Sequence, residues 1–250
     1  MGDFTTLTTR FNKLFFAKLS KNKQDDVNRL EKKGVKRCVA IGLLSAGRCS
    51  YQEALMISSI MGLFQDIEVY SFTEKVMSVC FSGKTHNGRL VRIHPQYRLV
   101  KPVRLNNLNR KQQDYWYVDL AIEFYITDKS GDNDVVVGIW GMEYDGYPTH
   151  FLETNIKNSY LRDLVIDTEY GISLKHITQD MWKIHSHEVI ANLTMFIHRL
   201  YAYVDYLPFE DLQSRPINQN IAPALDLVKN KDGTFNAVNW LEKLGVPLDI

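Results

Sequence analysis

The stretch Trp140-Gly141-Met142-Glu143-Tyr144-Asp145-Gly146-Tyr147-Pro148-Thr149-His150 decides how this chain is read. An apolar strand pattern delivers two carboxylates two residues apart, breaks at a glycine and places a histidine just beyond. Side chains alternate along a strand, so Glu143 and Asp145 point the same way, with Cα atoms about 6–7 Å apart. Two carboxylates at that spacing can share one hard divalent cation such as Mg²⁺. A third acid, Asp119, sits in the earlier strand-like run from Tyr115 to Phe124. An unpaired carboxylate in so apolar a run is costly, which marks Asp119 as a candidate metal bridge. An edge-strand Asp facing solvent is the simpler alternative. For Glu143 and Asp145 the alternative is an Asp-Gly hairpin turn starting at Asp145, which leaves Glu143 unaccounted for.

Working outward, the turn Asp128-Lys-Ser-Gly131-Asp-Asn-Asp134 joins the Asp119 strand to the Val135–Tyr144 strand. Upstream, strands are expected at Ile67–Phe72, Val76–Phe81 and Leu90–Ile93, with Ser82-Gly83 and Asn87-Gly88 as turns. Pro95–Val100 reads as a strand entry, and 101–114 as a polar, basic loop. Residues 4–34 read as helical, 37–47 hold a short apolar run, and Ser50-Tyr-Gln-Glu53 resembles a capping box opening a further helix. Downstream, a helix is expected over 151–170 with Gly171 as its stop, then a short strand over 172–177 and a helix over about 180–205. The fold class is therefore α/β: a mixed central sheet flanked by helices on both faces. The expected domains are a basic helical segment over 1–48, a core over 49–205 and a proline-containing extension over 206–250.

The chain has 250 residues and 45% hydrophobic content, enough for a sizeable core. No apolar run reaches 18 residues, so no membrane span is expected. The three cysteines cannot all pair and lack C-x-x-C spacing, so a reduced, cytoplasmic protein is the simple reading. Net charge is +1, but residues 1–110 hold 19 Lys+Arg against 8 Asp+Glu and the remainder 11 against 21. A basic half able to hold a phosphate backbone beside an acidic half able to hold metal is one reading; two halves that attract each other is the other.

The ordered series Ser50…Glu53, Pro95-Gln96-Tyr97, Val118-Asp119-Leu120-Ala121, Glu143-Tyr-Asp145-Gly146, His150, Arg162-Asp163, Gly171-Ile-Ser-Leu174-Lys-His-Ile177 and Trp182 resembles a known pattern. It is similar to PD-(D/E)xK nucleases, in the branch of the very-short-patch-repair endonucleases and their bacterial relatives, over roughly residues 50–200. The superfamily's lysine is missing after Glu143, where Asp145 stands instead, and Asn158 replaces an acid that often precedes the Arg-Asp pair. The resemblance implies a restriction-endonuclease-like core and a metal-dependent endonuclease hydrolysing DNA phosphodiesters to 5′-phosphate and 3′-hydroxyl ends. Mobile-element, phage, restriction or repair biology is the implied setting. A subunit that keeps the fold and binds nucleic acid without cleaving alone, through a protein partner at the N- or C-terminal segment, is the rival.

The expected catalytic set is Asp119, Glu143, Asp145, His150 and Glu53, with Asp119, Glu143 and Asp145 as ligands of Mg²⁺, or of Mn²⁺ in its place. Glu53 approaches from its helix, where its capping role is an equal explanation; His150 positions water or the leaving group, unless it is merely solvated. Lys157 and Arg162, about one helical turn apart, are candidates for phosphate contact, against a solvated helix face. Gln96 is expected to orient a ligand from the neighbouring strand. Glu123, roughly 13 Å along the strand from Asp119, is expected to be a salt-bridge partner. His176, His185, His187 and His198 are expected to be structural.

Overall fold

The computed structural model describes residues 4–45, 49–100, 115–145 and 153–214. The helices are α1 (Phe4–Lys18), α2 (Lys21–Lys32), α3 (Arg37–Ser45), α4 (Tyr51–Met61), α5 (Glu153–Tyr170), α6 (Gln179–Val204) and α7 (Phe209–Ser214). The strands are β1 (Gln65–Thr73), β2 (Ser78–Lys84), β3 (Leu90–Val100), β4 (Tyr115–Thr127), β5 (Asp134–Asp145) and β6 (Ile172–Thr178). They form one mixed six-stranded sheet in sequence order. β1 to β5 are antiparallel neighbours, and β6 runs parallel to β5 after the α5 crossover. No helix among the described residues is long and apolar enough to cross a membrane.

The helical reading of 4–34 resolves into two helices that break at Leu19-Ser20. The apolar run after residue 37 is α3, and every residue from Cys38 to Ser45 is buried. A helix apolar all round belongs inside, and α3 fills that place between α1 and the sheet. Phe11 and Phe15 of α1 stack with their ring centroids 4.5 Å apart, and Phe11 reaches Phe72 at 5.5 Å and Phe81 at 6.5 Å. The larger core cluster therefore joins α1–α4, α6 and α7 to one face of the sheet. A second, smaller cluster joins Ile166 of α5 to Leu99, Val118, Ala121, Ile139 and Ile172 on the other face.

Ser82-Gly83 is not a turn. Both residues lie within β2, and a Cβ on Gly83 would sit 3.3 Å from the Gln65 carbonyl oxygen. The glycine serves close strand approach rather than chain reversal. The reversal falls at 85–89, where Gly88 takes φ +78° and donates to the Thr85 carbonyl. Asp128 closes the β4–β5 hairpin by accepting from the backbone of Gly131 and Asp132 and from the side chains of Ser130 and Asn133. Gly171, at φ +64°, ends α5 and donates to the Asp167 carbonyl.

Gly141 lets β6 lie close to β5. A Cβ there would stand 2.6 Å from Ile172 Cγ2 and 3.1 Å from Leu174 Cδ1, and the branched methyl of Ile172 has little room to yield. Gly141→Ala is expected to cost about 1–3 kcal/mol through overpacking. Thermal unfolding should record this as a midpoint loss of about 2–4 °C per kcal/mol. An unchanged midpoint would show that β6 sits less tightly than described.

Candidate active site

Asp119 lies where the β4–β5 ladder stops. The last paired residues are Leu120 and Met142, and the next backbone donor of β5, Tyr144 N, turns to the Asp119 side chain, 2.8 Å from Oδ2. Between the β3–β4 pairs Pro95↔Leu120 and Tyr97↔Val118, Asp119 faces Gln96. Gln96 holds φ +55°, uncommon for a residue with a Cβ, and its Nε2 donates to Asp119 Oδ1 at 2.8 Å. Side-chain alternation breaks at this pair: Leu120 and Ile122 join the larger core, whereas Val118 and Ala121 both join the smaller one. The Asp119 carboxylate is thus held by one donor from each of the strands that flank its own, Gln96 of β3 and Tyr144 of β5.

Glu143, on the adjacent strand β5, feels the Asp119 charge and is only 7% exposed. Its Oε1 is buried with no hydrogen-bond partner among the described residues. The Arg162 guanidinium stands 3.4 Å away, close enough for attraction but without an aligned hydrogen bond. Burial pushes the Glu143 carboxyl up to about 8; Arg162 opposes this, and the Asp119 charge adds to it. Glu53 caps α4 as its sequence foretold: Ser50 Oγ accepts from Glu53 N at 3.2 Å, and Glu53 Oε2 accepts from Ser50 N at 3.3 Å. Capping does not exclude it from the site, because burial and then the Asp119 charge push its carboxyl up to about 7. Asp119 itself is raised by burial, against its two hydrogen bonds and Arg162, with the Asp145 charge adding to the rise. Asp119 is therefore the electrostatic hub: its charge is felt by Glu53 from α4 and by Glu143 from β5.

Asp145 is held differently. His176 of β6 places Nδ1 2.8 Å from Asp145 Oδ2 and Nε2 2.7 Å from Asp163 Oδ2. An imidazole bridging two carboxylates through both nitrogens is a double donor, hence an imidazolium. The hydrogen bonds to Asp145 and Asp163 lift its pKa to about 10 against the cost of burial. Asp163 is lowered below the usual carboxylate range: burial opposes, and the hydrogen bond from His176 and the charge of Arg162 outweigh it.

The sequence reading therefore meets the structure unevenly. Asp119, Glu143, Glu53 and Gln96 come together, and Arg162 joins them from α5. Asp145 is nearby but engaged by His176. His150 lies outside the described residues, and so does the side chain of Lys157. His176, expected to be structural, is set beside Glu143 by the parallel pairing, and its hydrogen bond brings in Asp163 of α5, which the sequence reading gave no role of its own. Glu123 is the expected salt-bridge partner, 3.0 Å from His94 Nε2, and it also accepts from Tyr97 at 3.0 Å and Tyr125 at 2.7 Å.

Carboxylates that repel one another and hold too few cations suit a hard divalent ion, which takes oxygen ligands. The Glu143 oxygen that lacks a hydrogen bond among the described residues and the raised Glu53, Asp119 and Glu143 carboxyls fit that need. Among the described residues, however, no group of three His, Cys, Asp or Glu side chains is already arrayed to ligate a metal. Comparison of the chain with protein-family models, with curated proteins and with solved structures finds no match.

Proposed function

We propose that this protein is a metal-dependent endonuclease that hydrolyses DNA phosphodiester bonds on a restriction-endonuclease-like core. The observation that carries the reading is the buried Glu143 oxygen, without a hydrogen bond among the described residues and only loosely paired with Arg162, near the pinned Asp119 carboxylate. Asp119 and Glu143 would hold a divalent cation such as Mg²⁺, joined by Glu53 or by Asp145. Bound there, such an ion supplies an activated water and neutralises charge on the leaving oxygen.

The chain's own residues do the rest. Gln96 and the Tyr144 amide fix the orientation of Asp119. Arg162 is within ion-pair distance of Glu143, where the His176 charge is also felt, and meets a phosphate oxygen entering there. Glu53, pushed up to about 7 in the metal-free protein by burial and the Asp119 charge, is the carboxyl near Asp119 that could serve as a general acid or base.

Part of the basic half is engaged elsewhere: Lys18 pairs with Glu74, Lys84 with Asp66 and Arg89 with Asp205. The rival reading, a subunit that binds nucleic acid without cleaving it alone, draws support from Asp145 being tied to His176 rather than left open to a ligand.

Supercoiled plasmid distinguishes the two. With Mg²⁺ or Mn²⁺ the protein is expected to produce nicked or linear DNA, and EDTA is expected to stop it. Plasmid that stays supercoiled with either metal across a range of pH would remove the endonuclease reading.

A further inference from the structure

We propose that Asp163 is a positioning residue of this site, one that holds Arg162 at Glu143 and, through His176, holds Asp145. The inference rests on the endonuclease reading for its catalytic consequence, but not for its geometry. One carboxylate divides its two oxygens between two cations. Arg162 Nε and Nη2 each lie 3.2 Å from Asp163 Oδ1, and His176 Nε2 lies 2.7 Å from Oδ2. Each cation then reaches a further acid. Arg162 Nη2 is 3.4 Å from Glu143 Oε1, and His176 Nδ1 is 2.8 Å from Asp145 Oδ2. Successive residues on a helix do not ordinarily face each other. The Arg162 guanidinium laid across its own neighbour is therefore a specific arrangement, and Asp163 is what holds it.

β5 and β6 supply the other half of the geometry. Their parallel register sets His176 beside Glu143, so the imidazole spans from the strand edge to α5. Acid and basic side chains alternate in the series Glu143, Arg162, Asp163, His176, Asp145, with Asp163 at its centre. Groups that orient ligating carboxylates from behind typically matter by 10–100-fold in metal affinity or activity.

The test is a set of variants in the full chain, read in two ways. Asp163→Asn loses the charge that both cations share. Its kcat on plasmid is expected to fall about 10–100-fold while KM stays within about twofold. Asp163→Glu, which keeps both acceptor oxygens, is expected to recover part of the loss. Asp163→Asn combined with His176→Gln is expected to be no slower than the worse single variant, because residues that act as a unit are not additive. The second reading needs no cleavage. In the metal-free protein the Arg162 Nε–H resonance is expected to be slow to exchange, to lose that protection in Asp163→Asn and to keep it in Asp145→Asn. An Arg162 signal indifferent to Asp163→Asn overturns the proposal, as does a rise in KM at unchanged kcat. If the native protein cleaves nothing, the endonuclease reading fails, and the Arg162 resonance alone then decides the positioning claim.

Discussion

Asp119→Asn is expected to lower plasmid cleavage by about 10³-fold or more, the scale seen when a central catalytic group is removed. The substitution keeps shape and size but removes the charge that a divalent ion would bind. Its structural cost is bounded. Asp119 accepts from Gln96 and from Tyr144 N, both at 2.8 Å, and an asparagine can accept through only one end. One of the two donors then meets an amide NH₂, a loss of about 1–3 kcal/mol.

Gln96→Ala gives the graded comparison. It leaves the carboxylate in place, removes one of its two holders, and is expected to slow cleavage by about 10–100-fold. Rates measured on plasmid, with thermal midpoints measured alongside, separate chemistry from folding. Asp119→Asn that retains cleavage within tenfold of the native protein would remove Asp119 from the site, and with it the electrostatic hub joining Glu53 and Glu143.

Much of this site was legible in the chain because strand chemistry is local. A polar residue inside Tyr115–Phe124, and Glu-x-Asp at the end of an apolar run, declare themselves through alternation alone. The capping box at Ser50 and Glu53 and the Asp128 turn are local for the same reason, and both form. What remained hidden depends on neighbours that the chain does not name. Gln96 adopts a positive φ with no glycine or asparagine to announce it, and the alternation of two strands breaks at that point. The hold on Asp119 by donors from both flanking strands follows from that break.

His176 looked structural because its strand was recognisable but its partner was not; pairing with β5 is a long-range fact set by the α5 crossover. Gly83 misled because glycine marks turns and close strand contacts equally. The first 110 residues carry the excess of basic side chains, yet Arg162, the guanidinium at Glu143, comes from the acidic half, since proximity rather than composition decides pairing.

The metal-free protein is expected to lose thermal stability as pH rises from about 5 to 9. Glu143 has a folded pKa near 8 against an ordinary 4.5, so the folded state keeps a proton that the unfolded chain has already released. The stability linked to that proton is full below about pH 4.5 and is lost as pH climbs through 8. Glu53, raised from 4.5 to about 7, acts in the same direction over a narrower span. His176, raised from 6.5 to about 10, adds to the slope above neutrality as its stabilising proton is lost. The lowered carboxyls of Asp163 and Glu123 act oppositely, contributing stability above their unfolded values, and govern only the acid limb.

Glu143→Gln removes the largest of these penalties with almost no change in volume. At about 1.4 kcal/mol for each tenfold change in proton affinity, the variant is expected to gain a few kcal/mol at pH 8 and little at pH 5. Mg²⁺ should stabilise the native protein at pH 8 by about 2.7 kcal/mol at a hundredfold excess over its dissociation constant, raising its midpoint, and should leave Glu143→Gln nearly unmoved. Unfolding curves recorded from pH 5 to 9, with and without Mg²⁺, check all three expectations. A midpoint that is flat or rises over this range, or a Glu143→Gln variant less stable than the native protein at pH 8, would mean that Glu143 already has the partner its burial demands. The argument for a cation there would then lose its physical basis.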